Sequence, residues 1–213
     1  MPKQGNSHGM YDLSDEEIKI VKEIFHQKKD GESYEDKIIE IIGFSKLNEL
    51  TIVEGEFAYQ FRIIGVEGMH WMITEIIDKG NQEVIPYKFC KYELNEDCNP
   101  IIGFKKINSD CVKIFEERKG TISRTQMDSI NKVILNNEFW ELTPNNSEIR
   151  NYDGLLYHGE SWYLKGAFAK SYPSSYHGDT TIVYIHEVFR MIPEDSKSMM
   201  KIGSLLINET KMK

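Results

Sequence analysis

Apolar residues recur at helical spacing twice near the start of the chain. Ile18, Val21 and Phe25 form one stripe, widened by Ile20 and Ile24, behind a capping box in which Ser14 accepts from the Glu17 amide. The run "KKDG" closes this predicted helix with cations and a glycine. A shorter stripe of Tyr34, Ile38, Ile41 and Ile42 follows a cap at Ser33 and Asp36 and stops at Gly43.

The period then changes from helical to alternating. "EFAYQFRII" puts Phe57, Tyr59, Phe61 and Ile63 on one side of a strand. "HWMITEII" carries Trp71, Ile73 and Ile77 on one side and Met72 and Ile76 on the other, and "VIPYKFCKYEL" supplies a third strand. Pro86 suits an edge or a bulge there, because it has no N–H to give a central ladder. The short turn-rich links "GVEG" and "DKGNQE" fit consecutive antiparallel strands.

The charged stretch "FEERKG" marks a candidate boundary, after which the pattern restarts. Ser123 and Gln126 form another capping box ahead of Met127, Ile130, Val133 and Ile134, and Asn136 and Asn137 end that helix. "EFWEL" begins a new extended region. "SWYLKG" and "TTIVYIHEVFRMI" read as strands, the latter ending at Pro193, and a last helix carries Met199, Ile202, Leu205 and Leu206. The order predicts an α+β fold: antiparallel β meanders packed with about four amphipathic helices. Residues 1–10 are expected to form a mobile tail, 11–118 an N-terminal α+β unit and 119–213 a C-terminal one, with a single continuous domain as the alternative.

Composition narrows the function classes. The net charge of -8 over 213 residues argues against a general nucleic-acid binder and suits a protein that docks on a basic partner. No apolar run approaches the roughly 20 residues that span a bilayer, and the polar start lacks a secretory h-region, so no membrane association is expected and the expected placement is cytoplasmic. Cys90, Cys98 and Cys111 show no paired spacing and suggest reduced thiols.

Candidate chemistry is sparse. The cysteines lack C-x-x-C spacing, no H-E-x-x-H helix is present, and His186 and Glu187 are adjacent in a strand, where they point to opposite faces; no metal is expected. Nucleotide-binding glycine motifs and the G-x-S-x-G elbow are missing, so no cofactor is expected. The remaining enzymatic reading is a small hydrolase or transferase built on His158, Glu160, His186 and Arg190, which requires all four to converge in one pocket. Aromatic residues crowd the second half instead. "AKSYPSSYHGD" is a polar loop bearing Tyr172 and Tyr176, and with Tyr157 and Asp179 it is the expected protein-binding surface.

Three blocks also carry a resemblance. "FWEL" at Phe139, Trp140 and Leu142, "HGESWYLK" with Gly159, Trp162 and Leu164, and "IHEVFRMIP" with His186, Arg190 and Pro193 precede the closing helix "MMKIGSLLI". Residues 123–208 thereby resemble a family of uncharacterised bacterial proteins with the pattern F-W-x-L, D-G-x-x-W-x-L-E and Y-H-x-x-x-R-W-x-P. His158 stands in place of the pattern's Asp, Lys165 of its Glu, Ile185 of its Tyr and Met191 of its Trp. The resemblance implies a fold unit and no particular reaction. The combined expectation is a non-enzymatic acidic protein-binding module of the bacterial immunity or antitoxin kind.

Overall fold

The computed structural model describes residues 34–65, 70–95, 98, 107–137, 139–142, 161–172, 180–190 and 196–212. Six strands form one antiparallel sheet: β1 (Phe57–Ile64), β2 (His70–Asp78), β3 (Val84–Leu94), β4 (Val112–Ser123), β5 (Ser161–Tyr172) and β6 (Thr180–Arg190). Their spatial order is β4-β3-β2-β1-β5-β6. The described helices are α1 (Tyr34–Ile41), α2 (Arg124–Asn136) and α3 (Lys197–Glu209). The expected tail over 1–10 and helix over 14–31 lie outside the described residues, so three helices stand where about four were expected.

The alternation of β1 holds because both faces of the sheet are covered and only period two can serve two different layers. One face presents Tyr59, Phe61 and Ile63 of β1, Ile76 of β2, Ile85, Tyr87 and Phe89 of β3, Ile122 of β4, Trp162 and Leu164 of β5 and Val188 of β6. Helices α2 and α3 close this face with Met127, Ile130, Ile134, Met199, Ile202, Leu206 and Ile207. The capping box of Ser123 and Gln126 forms as expected, and Ser196 caps α3 through the Met199 amide.

The opposite face is split. Near one end Ile38, Ile39, Ile42 and Phe44 pack on Trp71, Ile73, Cys90, Tyr92 and Leu94. Near the other, Leu47 and Ile52 pack on Ala58, Ala167 and Ala169. Between the two runs a row of polar side chains, one per strand, perpendicular to the strands: Lys119, Lys88, Glu75, Gln60, Lys165 and Glu187 are successive cross-strand partners. Glu75 is buried and accepts from the Gln60 amide at 2.8 Å and from the Ser45 amide at 2.9 Å, with Lys88 Nζ 3.7 Å away. At the far end Lys165 lies 3.6 Å from Glu187, which also accepts from the Tyr163 hydroxyl at 2.6 Å.

Four expectations are corrected. "FEERKG" is the body of β4 and no break: the position between residues 118 and 119 falls inside that strand, and β1 pairs with both β2 and β5. "FWE" forms a 3-10 turn, Phe139–Glu141, rather than a strand, because its two rings fold onto the sheet above Gly166. Pro86 lies on an inner strand, yet the β2 ladder ends at Ile76–Tyr87, one residue short of it, so the missing N–H breaks no bond on that side. Cys98 and Cys111 are disulfide-bonded with Cα atoms 5.5 Å apart, and Cys90 alone is a free thiol, buried in β3. Spacing could not show this, because the link from β3 to β4 returns to its starting point: the Asn95 amide donates to the Cys111 carbonyl. The bond overturns the expectation that these two thiols are reduced. No described helix is long and apolar enough to cross a membrane.

Candidate functional site

Tyr172 was expected in a loop; it is the last residue of β5, paired with Thr180 at the start of β6. Its hydroxyl meets that of Tyr184 at 2.7 Å, so two side chains from opposite strands arch toward each other on the helix-bearing face. The Lys170 ammonium lies 5.4 Å from the Tyr172 ring centroid, beneath the arch. The bond to Tyr172 raises the Tyr184 phenol above its ordinary pKa, slight burial and the charge of an ionised Tyr172 add to the rise, and Lys170 opposes it.

The arch rests on a ladder of rings. Tyr184 stacks on its cross-strand partner Phe168 at 4.9 Å and 12°, and Phe168 faces Phe57 at 6.4 Å. Trp140 closes on Phe168 edge-to-face at 4.6 Å. Gly166 makes room for this turn, since a Cβ there would stand 2.9 Å from a Phe139 ring carbon and 3.0 Å from Trp140. Phe57, Trp140 and Phe168 remain half-buried while Tyr172 and Tyr184 are exposed, so the ladder is anchored at its root and open at its tip. Rigid, amphipathic rings of this kind lose little conformational entropy on contact with a partner.

Of the alternative catalytic set, His186 and Arg190 are among the described residues. His158 and Glu160 lie outside the described residues. His186 and Arg190 share the helix-bearing face of β6, about 13 Å apart along the strand at ordinary strand rise. His186 Nε2 donates to the Leu142 carbonyl at 2.9 Å, and its ring packs edge-to-face on Phe139 at 5.1 Å. Arg190 is buried and donates to the Phe189 carbonyl at 2.7 Å. The His186 bond ties β6 to the turn at Phe139–Glu141, whereas the Arg190 bond is to its own neighbour in the strand. Among the described residues no group of three His, Cys, Asp or Glu side chains could hold a metal ion.

Of the expected binding residues, Tyr157, Tyr176 and Asp179 lie outside the described residues, and Tyr172 is placed at the surface. Tyr184 and Phe168 were missed as parts of this site. The alternation of "TTIVYI" puts Tyr184 on a face with Ile182, but only the β5–β6 register shows which aromatic it meets. Comparison with protein-family models, with curated proteins and with solved structures finds no match to this chain.

Proposed function

We propose that this chain is a non-enzymatic, acidic protein-binding module that recognises a basic partner protein through the aromatic face at the outer end of the β5–β6 hairpin. The observation that carries the reading is the Tyr172–Tyr184 arch, held by a 2.7 Å hydroxyl contact over the Phe57, Phe168 and Trp140 rings. It is exposed, yet its geometry is set before any partner arrives, which lowers the ordering cost of binding. The net charge of -8 supplies long-range attraction to a cationic partner and a binding rate that falls with salt. A role of the immunity or antitoxin kind, covering the active surface of a basic toxin, fits both features.

Affinity capture from native extract at moderate ionic strength, followed by mass spectrometry, tests the reading. A stoichiometric basic protein that dissociates as salt rises is expected. A Tyr172→Ala/Tyr184→Ala double variant should bind it at least about tenfold more weakly, as for loss of paired aromatic anchors. Undiminished affinity in that variant removes the arch from the interface.

A further inference from the structure

The charge beside the arch has the sign opposite to that of the whole chain. Lys170 stands between Phe168 and Tyr172 on the helix-bearing face of β5, with Ile182 of β6 as its cross-strand partner, so the Tyr172–Tyr184 contact passes over this pair. Lys165, the other cation of β5, lies 3.6 Å from Glu187, but among the described residues no acidic side chain stands at that range from Lys170. One face of the Tyr184 ring is taken by Phe168 and one face of the Tyr172 ring by the Lys170 ammonium. A Lys or Arg of the partner would therefore meet a like charge at the arch. The hydroxyls point the same way. Two phenols carry two protons, and their 2.7 Å contact uses one of them. The upward shift of the Tyr184 phenol, caused first by this bond, marks Tyr184 as the hydroxyl that gives its proton. The Tyr172 proton is left to donate outward, and a hydroxyl that accepts one bond donates the next more strongly. The tip of the hairpin thus sets an O–H and an ammonium side by side.

We propose that the arch seats an Asp or Glu side chain of the partner protein, whose carboxylate accepts from the Tyr172 hydroxyl and the Lys170 ammonium. The inference rests on the reading that the arch is the contact surface, and it names the group that the arch contacts. Distance separates the two electrostatic roles. The net charge of -8 draws a basic protein in, and screening over about 8 Å leaves Lys170 to select what lies against it at contact. A carboxylate has two oxygens and can accept from both donors at once, through charge-assisted bonds that a neutral amide does not match. The arch stands on an open sheet face with both tyrosines exposed, which suits a side chain projecting from a folded surface.

The sign of one substitution decides. Lys170→Glu makes the chain more negative, so if the arch met the basic surface of the partner directly, this variant would bind more tightly than the parent. With a carboxylate on the arch it should bind the captured partner at least about tenfold more weakly. Tyr172→Phe keeps the ring and removes the outward donor, and it should weaken binding about fivefold. Lys170 is exposed, so the unfolding midpoint of Lys170→Glu should match the parent's. Unchanged or tighter binding by Lys170→Glu, while Tyr172→Ala/Tyr184→Ala loses the partner, overturns the carboxylate and leaves the arch as the interface. Retention of the partner by the double tyrosine variant overturns both. A probe that needs no partner is N-acetyl-glutamate N-methylamide, followed through the tyrosine ring signals by NMR. It should shift the Tyr172 and Tyr184 signals of the parent and not those of Lys170→Met, and its glutamine counterpart should shift neither. Equal shifts from the two probes, or none from either, overturn the proposal.

Discussion

Gly203 is where α3 comes closest to the sheet. A Cβ at this position would stand 2.3 Å from a Trp162 ring carbon and 2.9 Å from Phe61 Cζ, inside contact distance of both. Alanine in place of a helical glycine ordinarily gains up to about 1 kcal/mol, but overpacking against two fixed rings costs more. Gly203→Ala should therefore destabilise the protein by about 1–3 kcal/mol, read from the urea midpoint at constant slope. A more stable variant would mean that α3 does not lie against Trp162. Cys90 offers a second residue-scale test. Burial, and secondarily the negative charge of Glu117, pushes its thiol from 9.0 up to about 12. The unfolded chain ionises first, so this contribution to stability is intact below pH 9 and is lost as pH rises toward 12. With the Cys98–Cys111 bond intact, a thiol reagent near neutral pH should find no reactive group in the folded protein and one after unfolding.

Among the elements, α2 is packed on the sheet by Met127, Ile130 and Ile134 and stapled at its first residue by one guanidinium. Arg124, the first residue of the helix, donates to both oxygens of Asp78 at 2.6 and 2.8 Å and to the Gln82 carbonyl at 2.9 Å. Asp78 is buried at the end of β2, so Arg124→Ala would strand a carboxylate away from water and should cost about 2–4 kcal/mol. Chemical denaturation measures that loss; a change below about 0.5 kcal/mol would show that water reaches Asp78 freely. The sequence displayed the α2 cap but not this staple. Ser123 and Gln126 are three residues apart, whereas Asp78 and Arg124 meet only after two hairpins have formed. The same distinction explains β4. Its residues are mostly exposed and its charges suit a sheet edge, so the pattern that marks a buried strand is missing and the segment reads as a boundary. The β1–β3 meander was legible because its alternating positions serve two buried layers.

For the whole molecule, the disulfide and the strand order carry the main consequences. The Cys98–Cys111 bond closes a loop 13 residues long, worth about 3 kcal/mol on the loop-entropy scale. Cys98→Ser/Cys111→Ser should lower the unfolding midpoint accordingly, and a reductant should shift the parent by a similar amount while leaving the double variant unmoved. An equal response of both proteins to the reductant would place the effect elsewhere. Neither the bond nor the placing of β5 beside β1 was legible, since contacts between distant segments leave no period in a sequence. The Tyr172–Tyr184 arch was half legible for that reason: exposure of Tyr172 followed from its polar neighbours, and its partner did not.

The position of β1 sets the order of events during synthesis. Its first neighbour, β2, follows within a short hairpin, but its second begins with Ser161, about a hundred residues downstream. At ordinary elongation rates the ribosome takes about 5–20 s to cover that stretch. Throughout it, the bare side of Phe57–Ile64 offers the most apolar strand of the sheet to any neighbouring nascent chain. Synthesis past Tyr172 removes that hazard, which makes β5 a built-in chaperone for the part of the protein made before it.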